Sequence, residues 1–169
     1  MLGAGLLLLA SGLLGAAVAG WYAQRTRQLR GFLLGLHVLE TEIAHAVREL
    51  PAALQQTARA LEPPVRDLFQ GAAVLMSQHP HWPAPLAWRR ALALIRRRLA
   101  LRDEEVAALQ EVGVRLGLSA AGDQARYLRL VQQALQRHLE QAEQERQVGM
   151  RLWRYLGWGS GLMVVLLLY

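Results

Sequence analysis

The 169-residue chain contains no cysteine, no lysine and no asparagine. Without cysteine, disulfides, thiolate chemistry and most structural zinc sites are excluded together. Without lysine, all 19 basic side chains are arginine, and they set the formal net charge of +6 against 13 acids. A bias of this kind is the mark of GC-rich coding before it is a sign of a nucleic-acid partner. β-Branched residues are scattered and no segment alternates for long, so no strand is expected. No repeat at a solenoid period and no low-complexity tail is present. Charge is missing from both ends: Leu2 to Ala23 and Tyr155 to Tyr169 carry none.

About 20 helical residues cover the roughly 30 Å of a hydrocarbon core. The first uncharged run is therefore expected to be a transmembrane anchor, residues 1–23. Ala17-Val18-Ala19 before Gly20 offers a signal-peptidase site as a rival reading. A secretory signal places basic residues ahead of its apolar core, whereas here Arg25, Arg27 and Arg30 follow it. The second run, residues 153–169, is expected to return to the bilayer after Arg146, Arg151 and Arg154, with Trp153 and Trp158 at the interface. Both arginine clusters flank the intervening domain, residues 24–152, which the positive-inside bias places in the cytoplasm. Arg25, Arg27, Arg30, Arg151, Trp153 and Arg154 are the expected interface anchors. Ser11, Gly15 and Ala19, and likewise Gly157 and Gly161, recur at the four-residue spacing that lets membrane helices pack closely.

Between the anchors the pattern is helical throughout. Leu29, Leu36, Ile43 and Leu50 repeat every seven residues, interleaved with Phe32, Leu39 and Ala46, and form one apolar stripe. Pro51 kinks this helix or starts the next, which carries Leu54, Ala58 and Leu61 to the stop at Pro63-Pro64. Val65, Leu68, Phe69, Ala72, Leu75 and Met76 form a third stripe. His79 to Pro85 is a proline-rich loop. A fourth helix from Pro85 presents Trp88, Leu92, Ile95 and Leu99 inward and Arg89, Arg90, Arg96, Arg97 and Arg98 outward. The fifth opens on Asp103, Glu104 and Glu105, acids suited to a helix N-terminus, and stops at Gly117. The sixth, capped by Ser119, runs through Leu128, Val131, Leu135, Leu139 and Ala142. Its stripe fades across Glu143 to Gln147, where it is expected to leave the bundle. The fold class is all-α, a five- to six-helix bundle between two transmembrane segments.

Candidate chemistry is sparse. His79 and His81 flank a proline but lack a third ligand. Gly157 to Gly161 has the composition of a phosphate loop without the preceding strand. Glu40 and Glu42 lack the pocket and the second group that acid–base work requires. Glu40 flanks the apolar seam, so it is expected to need a partner. The arginine face has the charge for an acidic protein, an anionic lipid or a nucleic acid, but Trp88, the one aromatic beside it, is committed to the core stripe.

The anchored N-terminus, Leu39-Glu40-Thr41-Glu42-Ile43, Leu68-Phe69, Trp88, Leu116-Gly117 with Gln124 seven residues on, Leu156-Gly157 and Gly161 occur in a fixed order. In that order they resemble the stage III sporulation protein AB family of endospore-forming bacteria. His45 stands where the family pattern has an aromatic, and Ala120 where it has a polar residue. The family is similar to the cytoplasmic domains of type II secretion F-type platform proteins. The resemblance implies a non-enzymatic subunit without cofactor or metal, in the mother-cell membrane around the forespore. It further implies a place in a channel or secretion-like complex, docked to that complex's secretion-type ATPase and other membrane subunits. Self-association is compatible with it and nucleic acid is not expected. Glu40, Glu42, Arg89, Arg90, Arg96 and Arg97 are the expected partner contacts. A pore-forming transporter is the rival, and the absence of ionisable residues from both uncharged runs counts against it.

Overall fold

The computed structural model describes the backbone of residues 2–45, 49–117 and 121–168 and the side chains of 19–44, 49–117 and 122–149. Six helices follow in order: α1 (Leu2–His45), α2 (Leu50–Arg59), α3 (Val65–Gln78), α4 (Ala84–Ile95), α5 (Asp103–Arg115) and α6 (Ala121–Leu168). A single 3₁₀ turn, Arg96–Arg98, follows α4. No strand occurs among the described residues.

Two helices dominate. At 1.5 Å per residue, α1 and α6 run about 66 and 72 Å. They pack on each other more extensively than any other pair. Their ion pairs fix the direction: Arg25 meets Glu145, Arg30 meets Glu143 and Glu40 meets Arg129, so α6 descends as α1 ascends. The N-terminal part of α1 and the C-terminal part of α6 therefore project from the same end of the bundle. The four shorter helices are laid against this hairpin.

The seven-residue stripe does what its spacing demands. Leu29, Phe32, Leu36 and Leu39 are fully buried, and Ile43 and Leu50 pack half-buried on the same core. Ala46 lies outside the described residues. The stripes of the later helices are likewise buried, with Leu75 half-covered. At the centre the Phe69 and Trp88 rings meet edge to face at 5.4 Å, an arrangement favoured by the aromatic quadrupole. The indole N–H donates to the Leu109 carbonyl at 2.8 Å. Gly113 makes room for this indole, because a Cβ there would lie 2.4 Å from Trp88 Cδ1.

Of the two readings of Pro51, the start of the next helix holds: it lies in the first turn of α2, where its missing N–H costs nothing. Two expectations change. The fourth helix stops at Ile95. Gln28 of α1 donates to the Arg98 carbonyl at 3.4 Å and accepts from the Ala100 N–H at 2.7 Å, drawing the chain out of the helix. The sixth helix does not leave the bundle at Glu143. Where its apolar stripe fades, Glu143 and Glu145 replace packing with ion pairs to α1.

Among the described side chains no helix is long and apolar enough to cross a membrane. The expected segment 153–169, with Arg151, Trp153, Arg154, Gly157 and Gly161, lies outside those side chains, as do Ser11 and Gly15 of segment 1–23.

Candidate docking surface and the ion-pair cluster behind it

Arg25 is not a headgroup anchor. Its side chain is 1% exposed and points into the bundle. Nε and Nη2 both donate to Oε1 of Glu105, at 2.9 and 2.6 Å, and Nη1 donates to Glu145 at 2.7 Å. Arg102 reaches the same Glu145 oxygen at 2.7 Å. The other Glu105 oxygen accepts the Arg102 backbone N–H at 2.8 Å, the carboxylate half of a capping box at the start of α5. Burial pulls the Arg25 pKa down, and the hydrogen bonds and charges of Glu105 and then Glu145 more than reverse it, so the net shift is upward. Helices α1, α5 and α6 are thus tied together directly beyond the first apolar run.

Sequence reasoning misses this cluster. Glu105 reads as one of three first-turn acids and Glu145 falls in the stretch expected to leave the bundle, and neither carries a local signal of its partner 80 or 120 positions away. Arg27 and Arg30, by contrast, are exposed. Trp21, 38% exposed, packs edge to face on Tyr22 and lies under the Arg25 guanidinium at 5.7 Å. The Trp21–Tyr22 pair ahead of Arg27 and Arg30 has the composition of a membrane interface.

The expected docking residues separate into two groups. Glu40 is held inside the molecule, accepting from Arg129 and Gln132 of α6 at 3.0 Å each, so its need for a partner is met by the chain itself. Glu42 is half-buried beside it. Arg96 closes on Asp103 at 2.6 Å and Arg98 on Asp67 at 2.7 Å. Arg89, Arg90 and Arg97 remain exposed, with no ion pair to an acid among the described residues. Arg89 also borders a groove of about 500 Å³ between α4 and α5, lined by Pro83, Pro85, Leu86, Gln110 and the half-exposed Val114. Among the described residues no group of three His, Asp or Glu side chains is placed to hold a metal.

The sequence profile described as Stage III sporulation protein AB matches residues 1–169. The chain belongs to this family. The Stage III sporulation protein AB of Bacillus subtilis (strain 168) is 30% identical to it over 168 residues, covering 99% of this chain and 98% of the relative. A solved structure of Stage III sporulation protein AB has a TM-score of 0.69 and 29% identity, spanning 74% of this chain and 98% of the other.

Among the described residues, several that carry the stage III sporulation protein AB pattern join helices of the bundle. Gly117 ends α5 at φ +74°, the left-handed region where a side chain is strained. Its N–H donates to Gln124 Oε1 at 3.3 Å, which ties the end of α5 to the start of α6 and accounts for the seven-residue spacing. Phe69 and Trp88 are the central aromatics, and Glu40 links α1 to α6. The candidate docking residues Arg89, Arg90 and Arg97 are not among them.

Proposed function

We propose that the protein is a non-enzymatic, membrane-tethered subunit of the sporulation channel or secretion-like complex between mother cell and forespore. Its bundle is a platform that docks the complex's ATPase and neighbouring membrane subunits. The observation that carries this reading is the antiparallel packing of α1 and α6. It sends the two uncharged runs out of one end of the bundle, so a pair of anchors there holds the remainder on one side of a bilayer. The arginines that follow the first run support a cytoplasmic position for that side. The ion pairs of Arg25 with the buried Glu105 and the partly exposed Glu145 tie α1 to α5 and α6 at this junction, which supports a set orientation of the bundle toward its partners.

Arg89, Arg90 and Arg97 are the partner contacts on this reading, because their charge is not spent within the described molecule. The test is the triple reversal Arg89→Glu, Arg90→Glu and Arg97→Glu, followed by cross-linking and mass spectrometry in sporulating cells. The expected result is a protein that accumulates normally and loses its cross-links to the ATPase. Normal assembly and sporulation by the variant would remove this face from the docking surface. A reporter fused at the exposed Gln110 tests the topology and is expected on the cytoplasmic side.

A further inference from the structure

A groove of about 270 Å³ lies where α1 passes the connection between α2 and α3. It opens at the end of the bundle from which the two uncharged runs project. Its walls are apolar, formed by Gly31, Leu34, Leu61 and Val65. Its rim carries both signs of charge, Arg27 and Arg30 from α1 and Glu62 from the connection. Arg27 and Glu62 are exposed, and neither has an ion pair among the described residues. Arg30 shares its charge with Glu143 at 2.7 Å.

Position narrows the chemistry. Arg27 stands four residues beyond Ala23, about 6 Å along the helix axis. The polar layer on each side of a hydrocarbon core is about 5–8 Å thick. The groove mouth therefore meets lipid headgroups if α1 is anchored as proposed above, and the inference rests on that reading. A guanidinium on one rim suits a phosphate. The carboxylate on the opposite rim disfavours a second negative charge and suits an ammonium that donates N–H bonds. A choline headgroup has no such N–H, and a glycerol headgroup has no cation.

We propose that this groove is a phospholipid headgroup site that reads phosphoethanolamine. Arg27 takes the phosphate, Glu62 takes the primary ammonium, and the glycerol end rests against Leu61 and Val65. The site orients the bundle relative to the leaflet by a contact that depends on headgroup chemistry.

Because the chain has no cysteine, an introduced one is a unique label site. The full-length Ala60→Cys protein carries a bimane on the groove rim. It is reconstituted in phosphatidylcholine vesicles doped with chain-spin-labelled phosphatidylethanolamine, phosphatidylglycerol or phosphatidylcholine. At equal mole fraction, the ethanolamine lipid is expected to quench about threefold to fivefold more effectively than either of the others, the scale of one exposed ion pair. Arg27→Gln is expected to abolish the preference, and Glu62→Gln to reverse it toward phosphatidylglycerol. Equal quenching by all three lipids, or strongest quenching by phosphatidylglycerol in the parent protein, overturns the assignment. Soluble phosphoethanolamine at the bulk concentration of the ethanolamine lipid is expected to leave the quenching in place, and full recovery of emission at that concentration overturns the assignment, since the site would then prefer a soluble phosphate monoester to the lipid. A second label at Trp21→Cys separates the two levels. Quenching there by every lipid upholds the tether whatever the groove does, and its absence sinks the tether and the groove together.

Discussion

Arg25 and Glu105 lie 80 residues apart in the chain, and their side chains are 1% and 0% exposed. Both bonds from Arg25 to Glu105 fall on one carboxylate oxygen, and the second oxygen is taken by the Arg102 backbone. The pair is fully satisfied, and it is a pair whose members cannot be removed singly. Arg25→Met leaves a buried carboxylate without its counter-charge, with an expected loss of about 3–5 kcal/mol. Arg25→Met combined with Glu105→Leu removes both desolvation costs. The double variant is expected to be more stable than either single variant. Denaturant unfolding followed by circular dichroism checks this, and an additive double variant would contradict it.

Two glycines that look alike in the sequence are opposite in the fold. Gly113 sits in α5 against Trp88, where a Cβ would meet the indole at 2.4 Å, while Gly71 sits in α3 with Ala91 Cβ at 3.6 Å. Gly113→Ala overpacks the core, and the expected cost of about 1–3 kcal/mol exceeds the helix-propensity gain. Gly71→Ala makes an ordinary contact and keeps that gain, so it is expected to stabilise by about 0.5–1 kcal/mol. Thermal unfolding of the two variants should shift in opposite directions.

At the end of α5, Gly117→Ala is expected to cost about 1–2 kcal/mol, since its φ of +74° is unfavourable for any side chain. Gln124→Ala removes the exposed hydrogen bond to the Gly117 N–H, with an expected cost of about 1 kcal/mol. The two residues share one contact, so their effects should be non-additive in a double-mutant cycle. Full additivity would show that Gln124 does not hold the turn.

The residues that could be read in advance are those whose signal is periodic. Leu29, Leu36, Phe69, Leu92 and Leu135 announce a buried face through their neighbours three, four and seven places away, and the structure buries all of them. Gly117 and Pro51 announce helix boundaries through backbone chemistry alone. The arginines carry no such signal. Arg25, Arg27 and Arg30 look equivalent beside an apolar run, yet the pitch of α1 turns the first inward and the other two outward. Likewise Arg96 and Arg98 lose their place on an outer helix face because Gln28, some 70 positions away, ends α4 early. Which charges are spent inside the molecule is decided by tertiary pairing, and the proposed docking surface is drawn from what pairing leaves over.

Tyr127 supplies a test of one such pairing by pH. Its hydroxyl donates to Glu111 at 3.2 Å, and Arg115 lies over its ring at 4.8 Å. Burial raises its pKa first, the Glu111 hydrogen bond and charge raise it further, and Arg115 opposes them without cancelling them. The folded value therefore lies above the unfolded value of about 10. A raised folded pKa means that the neutral phenol is favoured by folding. Its contribution to stability is fully present below about pH 10 and is lost as the pH climbs through the folded value. Tyrosinate absorbance of the native protein, compared with Tyr127→Phe, should place the missing transition on the alkaline side of the free-tyrosine value of about 10. Glu111→Gln should move that transition down, and a Tyr127 that ionises at the free-tyrosine value of about 10 would show that the α5–α6 contact does not form in solution.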